Sequence, residues 1–154
     1  MQNFLRTLMQ SYMNKPLRFL MDSDFLIALY KPDDGNHEKA KSIFTRLMEM
    51  DVSVYLSSVV LAESTTVISY KLGMPEAKRF YTMVRDMADG IVFVDEKASE
   101  RGWRVFFSQK KKGTSYVDCV NIALAELYAF AGILSFDTFY PSAFRRYMED
   151  ARKI

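Results

Sequence analysis

The chain has 154 residues, a length that suits a single domain. Hydrophobic residues make up 49% of it, which supports a full core and argues against disorder, and a formal net charge of +2 indicates no particular partner. The single cysteine, Cys119, excludes an internal disulfide and lies in an apolar helical pattern typical of a core position. The sequence contains no apolar run near the roughly 18 residues of a membrane span and no signal-peptide pattern, so we expect a cytoplasmic protein.

The N-terminal segment, residues 1–16, is predicted to be a helical extension that precedes a domain at 17–154. Its apolar residues recur at helical spacing and form one stripe, namely Phe4, Leu5, Leu8, Met9 and Tyr12. Such a stripe could pack on the domain's own core or could contact a second chain. The sequence leaves both interpretations open.

From residue 17 onward, short strands that are apolar on both faces alternate with helical patterns. Strands are predicted at 17–22, 52–57, 91–94 and 133–136. Helices are predicted at 24–30, from Asn36 as the N-cap, from Ser57 or Ser58 to Gly73, at 75–88, at 96–109 with Asp95 as the N-cap, and from Ser115 to about Phe130, stopped by Gly132. This alternation favours the α/β class, as a three-layer α/β/α fold with a central parallel sheet of four or five short strands.

Four acidic residues occupy comparable places in this pattern. Asp22 and Asp137 directly follow the first and the fourth predicted strand. Glu63 lies within the second turn of the helix after the second strand, and Asp118 lies in the first turn of its helix. Because ligands of parallel sheets bind outside the carboxyl ends of the strands, these four side chains could converge there.

Most of these acids also have a structural explanation. Asp22 or Asp24 could cap the helix after the first strand, and Asp137 could initiate a turn. Ser115 and Asp118 have the spacing of a capping box, a common motif that needs no chemistry. Each acid is therefore ambiguous alone, and the functional interpretation depends on all of them occurring together.

Glu63 is the acid that a structural role explains least well. Its neighbours at 59–62 are apolar, and no cap requires a glutamate there. A buried and unpaired carboxylate would be costly, so the side chain either faces solvent or is coordinated. Clustered carboxylates repel one another unless cations neutralise them, and oxygen-only ligands select hard ions such as Mg²⁺ or Mn²⁺. The only histidine, His37, lies in a polar stretch and indicates neither a zinc cluster nor a Ser-His-Asp site.

Four segments together resemble one known family. They are Phe19–Ile27, which contains Asp22, and the segments 57–63, 115–119 and 134–137, each of which contains one of the other acids. Over Leu17 to about Phe139 the chain resembles PIN-domain nucleases, and within them the VapC-type ribonuclease toxins. Each segment is a weak signal alone, but their order and spacing are fairly specific.

The resemblance implies catalytic and metal-binding roles for Asp22, Glu63, Asp118 and Asp137, with Ser115 in a supporting position. It implies Mg²⁺- or Mn²⁺-dependent endonuclease cleavage of RNA. Members of the family are usually homodimers, and the toxin branch is neutralised by a cognate antitoxin that inserts near the site. We therefore expect an RNA substrate, a homodimer and a possible antitoxin partner.

The sequence departs from the family pattern in three places. Asp24 stands where the family commonly has asparagine, so it could be a further metal ligand or a supporting residue. Where the family often adds a fifth strand, Pro141 leads into a helical tail that contains arginines, and the segment 1–16 is extra. These differences bear on the partner and the subfamily more than on the chemistry.

We predict that Asp22, Asp118 and Asp137 hold metal ions and that Glu63 binds one metal or orients the attacking water. Basic residues near such a site would suit a phosphodiester backbone, and the candidates for phosphate contacts are Lys110, Lys111, Lys112, Arg145 and Arg146.

Three other functions are considered. One is a PIN-type RNA-processing nuclease without an antitoxin, and another is a non-catalytic PIN-like RNA-binding module. The third is a haloacid-dehalogenase-type phosphatase with Asp22 as the nucleophile, which Asp137-Thr138-Phe139 disfavours because it lacks that family's paired acids.

Overall fold

The computed structural model describes residues 16–141. The predicted helical extension lies outside the described residues except for Pro16, and so does the predicted tail beyond Pro141, with Arg145 and Arg146. The described chain forms four strands and six helices in an alternating order. They are β1 (Leu17–Met21), α1 (Ser23–Tyr30), α2 (His37–Met48), β2 (Val52–Ser57), α3 (Ser58–Leu72), α4 (Met74–Met87), β3 (Gly90–Val92), α5 (Glu96–Ser108), α6 (Tyr116–Leu127) and β4 (Gly132–Leu134).

The four strands form one parallel sheet in the order β3-β2-β1-β4. Phe19 of β1 pairs with Val54 of β2 on one side and with Gly132 of β4 on the other. β2 and β3 thus lie on one side of β1, and β4 lies on its other side. The sheet reverses its strand order at β1, and such a point is where ligands bind in open α/β sheets.

The side chains of β1 alternate between two apolar layers, as a strand period of two requires. Phe19 and Met21 belong to the core under α1 to α4, whereas Leu20 belongs to the core under α5 and α6. Both layers are apolar, and each fully buried leucine or phenylalanine contributes about 1.5–3 kcal/mol to folding. The predicted three-layer α/β/α arrangement with a parallel sheet is confirmed.

Most predicted element boundaries agree with the structure, and the differences fall near the ends of elements. Asn36 occupies the N-cap position of α2 but makes no side-chain cap hydrogen bond, whereas Asp95 caps α5 by accepting from the Ala98 N–H, as predicted. The prediction that Gly132 stops the last helix is wrong. That helix ends at Leu127, Ala129 takes a left-handed φ of +52°, and Gly132 opens β4.

Helices α5 and α6 approach closely at Gly102. A Cβ atom at this position would lie 2.7 Å from Cγ2 and 3.3 Å from Cα of Val120, too near for a stiff β-branched side chain to move aside. We expect Gly102→Ala to lower the free energy of unfolding by about 1–2 kcal/mol, because overpacking outweighs the better helix propensity of alanine. Urea unfolding checks this. In a Val120→Ala background the cost of Gly102→Ala should largely vanish, and an undiminished cost there would refute the steric explanation.

Candidate active site

The acidic side chains lie at the carboxyl edge of the sheet, where β1 and β4 end side by side. Met21 pairs with Leu134, and the Asp22 N–H continues this ladder by donating to the Leu134 carbonyl at 3.0 Å. Asp22 therefore follows β1 at the same level as Ser135 follows β4. The sequence position that suggested a strand-end carboxylate is also the reversal point of the sheet.

Asp22 is buried, with 4% of its surface exposed. One carboxylate oxygen accepts from Asn121 Nδ2 at 3.2 Å, and the other accepts from Ser135 Oγ at 2.9 Å. Although Asp22 occupies the N-cap position of α1, its side chain makes no cap hydrogen bond. The capping explanation for this carboxylate is therefore wrong, since both oxygens face residues that are distant in sequence.

Asp24 anchors the segment that leaves β4. Its carboxylate accepts from Ser135 Oγ at 3.0 Å and from the Phe136 N–H at 2.8 Å. Ser135 Oγ also accepts from the Asp137 N–H at 3.0 Å. Asp24 thus acts through backbone and hydroxyl contacts on the loop that carries Asp137, and it does not cap α1.

Asp118 is held by a buried polar network that the sequence did not predict. Its carboxylate accepts from the Tyr140 hydroxyl at 3.1 Å, and that hydroxyl accepts from Asn121 Nδ2 at 3.0 Å. The Asn121 carbonyl oxygen accepts from Ser57 Oγ at 3.2 Å. Asn121 therefore links Asp22, Tyr140 and the end of β2. All of its contacts depend on tertiary packing.

The remaining two acids are less enclosed. Glu63 is half-buried and accepts a hydrogen bond from the Ser23 hydroxyl. Asp137 is exposed, and its carboxylate accepts from the Phe139 N–H at 2.8 Å, which closes a turn. The sequence-based turn role of Asp137 is thus confirmed. The same carboxylate also contributes to the field of the neighbouring acids.

The acids act on one another electrostatically. Burial, with the negative charges of Asp24 and Asp118, raises the pKa of Asp22 to about 8. Burial is likewise the main cause that raises the pKa of Asp118 to about 6, with Asp137, Glu63 and Asp24 adding to it. The pKa of Asp24 is also raised, chiefly by burial. The structure therefore brings all five carboxylates into one region of negative potential.

A divalent cation suits the chemistry of this donor set. Every acidic donor is a carboxylate oxygen, the ligand that Mg²⁺ and Mn²⁺ prefer. Burial is the main cause that raises the pKa of Asp22 and Asp118, and no cationic side chain in the described part of the chain lowers either pKa. Among residues 16–141, however, no group of three or more His, Cys, Asp or Glu side chains is already arranged to hold a metal ion.

The supporting and basic candidates lie around this centre in different ways. Ser115 caps α6 by accepting from the Val117 N–H at 3.1 Å, so it positions the helix that carries Asp118 and makes no hydrogen bond to that carboxylate. Lys110, Lys111 and Lys112 are exposed in the connection from α5 to α6. None of these lysines takes part in the ion pairs found within the described part of the chain.

One sequence signal could have revealed the polar network. Asn121 stands in the run Cys119-Val120-Asn121-Ile122-Ala123, which is otherwise apolar, and it lies one helical turn after Asp118. An amide in such a run has to be satisfied inside the core. Its partner Tyr140, and Ser135 on the other oxygen of Asp22, carried no comparable signal, because serine and tyrosine near a strand end are common.

Tyr140→Phe should raise the pKa of Asp118 above its present value of about 6, because the hydrogen bond from the Tyr140 hydroxyl now partly offsets the effect of burial. The same change should lower the free energy of unfolding by about 1–2 kcal/mol, since the Tyr140 hydroxyl is fully buried and pairs on both sides. NMR titration of the carboxyl carbons in metal-free protein measures the first effect and urea unfolding the second. An unchanged Asp118 titration would contradict the assigned contact.

Comparison with known proteins agrees with this fold. The family model for the PIN domain matches residues 19–143, and the chain therefore belongs to the PIN-domain family. The match covers more than half of the 154 residues and includes all five acids. No curated protein sequence matches the chain.

Several solved structures share the fold at low sequence identity. VapC20 of Mycobacterium tuberculosis, described as a sarcin–ricin loop cleaving toxin, is 20% identical with a TM-score of 0.69 over 79% of this chain and 91% of that one. VapBC2 of Rickettsia felis, bound to a promoter DNA fragment, is 12% identical with a TM-score of 0.62 over 79% and 89%. A toxin–antitoxin complex of Klebsiella pneumoniae is 17% identical with a TM-score of 0.58 over 78% and 87%. The similarity to VapC-type toxins expected from the motifs is confirmed at the level of fold.

Among residues 16–141, no helix has the length and apolar character needed to cross a membrane.

Proposed function

We propose that the chain is a metal-dependent endoribonuclease that hydrolyses RNA phosphodiester bonds and acts in the cytoplasm. The observation that carries the proposal is the convergence of five carboxylates at the reversal point of a PIN-domain sheet, with the buried Asp22 at their centre. Such a concentration of negative charge is costly without a cation, and it is typical of metal-assisted phosphoryl chemistry.

The acidic side chains would have different roles in such a site. Asp22, Asp118 and Asp137 would hold the metal, and Glu63 would bind a metal ion or orient the attacking water. Bound Mg²⁺ or Mn²⁺ would lower the pKa of a water and offset charge on the leaving oxygen. Each carboxylate oxygen has two lone pairs, so Glu63, Asp118 and Asp22 could bind a metal ion while they keep their present hydrogen bonds.

Several neighbours would position these acids. Asn121 and Ser135 fix the two oxygens of Asp22, and Asp24 fixes the loop that carries Asp137. Contacts of this kind orient metal ligands and typically change metal affinity or activity about 10–100-fold when they are removed. The basic residues Lys110 to Lys112, with Arg145 and Arg146, would contact RNA phosphates.

The test is cleavage of a labelled RNA by purified protein with Mg²⁺, with Mn²⁺ and with a chelator. We expect cleavage only with metal, and products that end in a phosphate monoester and a hydroxyl, because water attacks phosphorus. Equal cleavage in chelator would show that metal is not needed, and 2′,3′-cyclic phosphate ends would show that the 2′-hydroxyl is the nucleophile. Either result would refute the proposal. Absence of cleavage together with RNA binding would favour a non-catalytic module.

We further propose that this nuclease is a homodimer and the toxin of a toxin–antitoxin pair. The support is the fold shared with solved toxin–antitoxin complexes. Expression of the wild-type chain should arrest growth of its host, and co-expression of the protein encoded next to it should restore growth. An RNA-processing nuclease without an antitoxin would cleave RNA in the same assay but would cause no such rescued arrest.

A further inference from the structure

A cluster of aromatic side chains covers the outer surface where α5 meets α6. Its four rings are Trp103, Phe106 and Phe107 of α5 and Tyr116, the first residue of α6. The ring centroids of Trp103 and Tyr116 lie 4.0 Å apart at 25°, and those of Trp103 and Phe107 lie 5.7 Å apart at 24°, so three rings are nearly parallel. Phe106 meets the edges of the others.

Tyr116 packs against the core beside α6, but the outer rings of the cluster are open to solvent. Phe107 is 77% exposed and Trp103 is 42% exposed, although large aromatic side chains are usually covered when they serve stability alone. Phe107 thus presents most of its ring surface beside Trp103, which its neighbours hold in place. A further planar ring could extend this stack at little entropic cost.

The charges beside the cluster indicate which planar ring would bind. Lys110, Lys111 and Lys112 follow α5 directly, are exposed, and take no part in the ion pairs described for residues 16–141. The neighbouring arginines of α5 are, by contrast, paired, Arg101 with Glu126 and Arg104 with Glu100. Unpaired lysines next to stacked rings complement a strand that alternates phosphates and flat bases.

The surface and the candidate active site lie on different sides of the first turn of α6, since helix side chains two residues apart do not face each other. Tyr116 precedes Asp118 by two residues, and both lie in the first turn of α6, which Ser115 caps. The three lysines lie in the short connection that ends at this cap. A strand held by the lysines and stacked on the rings would therefore run beside the start of the helix that carries Asp118.

We propose that Trp103, Phe107 and Lys110 to Lys112 form a binding subsite for single-stranded RNA, in which an unpaired base stacks on the aromatic rings and the lysines contact the flanking phosphates. The inference rests on the proposed nuclease function and deepens it by assigning a binding surface for the RNA to α5 and the connection to α6. A paired duplex hides its base faces and could not use the rings. Phe107 and Trp103 would hold an unpaired segment of the RNA.

Trp103 makes the test direct, since it is the only tryptophan of the chain. Its fluorescence would be followed while a short single-stranded oligoribonucleotide is added to the full chain in chelator, which prevents metal-dependent cleavage. We expect saturable quenching, and little quenching by the same sequence as a fully paired duplex. No quenching by the single strand, or equal quenching by the duplex, would overturn the proposal.

Substitutions locate the binding to this surface. Phe107→Ala should weaken binding roughly tenfold, and Phe107→Leu should weaken it similarly because leucine is apolar but has no ring to stack. The matched control is Phe93→Ala, because Phe93 is 75% exposed and follows β3, outside the cluster. Binding by Phe107→Leu as tight as by wild type, or equal losses in Phe93→Ala, would refute base stacking. A change of oligomeric state caused by Phe107→Ala, with RNA binding unchanged, would assign the surface to protein contacts instead.

The lysines have a separate readout. In a variant with all three replaced by alanine, the slope of log affinity against log salt should fall by about 2, since each phosphate contact to a single strand contributes about 0.7. An unchanged slope would show that the three lysines do not contact RNA phosphates. RNA cleavage is measured independently with metal: cleavage without quenching would overturn only this subsite, and quenching without cleavage would overturn only the nuclease function.

Discussion

Replacement of Asp22 by asparagine should abolish metal-dependent RNA cleavage, by about 10³-fold or more, and should stabilise the metal-free protein at pH 8. The two effects have one cause. Asp22 is buried beside other acids, so its ionised form serves a bound cation and costs stability without one, as at pH 8 near its raised pKa. For a residue whose role is to stabilise the fold, replacement would lower stability and would not raise it.

The substitution should preserve the local structure, because asparagine can reproduce the contacts. Its carbonyl oxygen can accept from Asn121 Nδ2, and its amide can donate to Ser135 Oγ, which still donates to Asp24. The neutral side chain removes the repulsion from Asp24 and Asp118 and the penalty for burying a charge. We expect the thermal midpoint of the metal-free protein to rise by about 5 °C at pH 8, equivalent to about 2 kcal/mol.

Cleavage kinetics with Mn²⁺ and thermal unfolding in chelator measure the two effects in one preparation. The matched control is Asp86→Asn, which neutralises an exposed acid of α4 and should change neither property. Retained cleavage by Asp22→Asn would remove Asp22 from the site. A loss of both activity and stability would instead indicate that the carboxylate is a structural group whose contacts asparagine does not replace.

The sequence predicted the parts of the site that depend on local position. Asp22 and Asp137 follow strands, and Glu63 and Asp118 lie in early helical turns, so the parallel topology alone brings them to one edge. The strands themselves were recognisable because each is a short apolar run between polar turns. Such positions can be predicted from the order of strands and helices alone, and hydrophobic periodicity indicates that order.

The contacts that orient the acids could not be predicted in the same way. Asn121 reaches Asp22 across 99 sequence positions, and Ser135 reaches it across 113. Such pairs depend on the register between β1 and β4 and on the angle of α6, which no local pattern specifies. The role of Asp24 was left open for the same reason, since its partners after β4 become adjacent only when the strands pair.

The end of α6 is a second feature that the sequence did not predict. Gly132 was the nearest expected stop signal, but the helix ends at Leu127 and the chain turns at Ala129 with φ of +52°, a conformation that alanine rarely adopts. The pairing of Gly132 with Phe19 fixes where β4 must begin, and the preceding residues accommodate it. Tertiary pairing here overrides local propensity.

The metal-free protein should lose stability as the pH rises from 5 to 8, and Mg²⁺ or Mn²⁺ should restore it. Folding raises the pKa of Asp22 to about 8 and that of Asp118 to about 6, both from 3.8. A carboxyl group whose pKa is higher in the folded state binds its proton more tightly there, so its stabilising contribution is full below the unfolded value and is lost as pH rises through the folded value. Both losses should therefore begin near the unfolded pKa of 3.8, and that of Asp118 should be complete near pH 6 and that of Asp22 near pH 8, so stability should fall less steeply above pH 6.

Metal binding offsets this loss of stability at high pH, because a cation binds the ionised carboxylates. The increase in thermal midpoint caused by Mn²⁺ should be larger at pH 8 than at pH 5, and binding near pH 7 should release protons, which calorimetry in buffers of different ionisation enthalpy detects. In Asp22→Asn the loss of stability between pH 6 and 8 should disappear, while the loss below pH 6 that Asp118 causes remains. Stability of the metal-free protein that is constant or rises between pH 5 and 8, with no proton release on adding metal, would contradict a metal site built on these two acids.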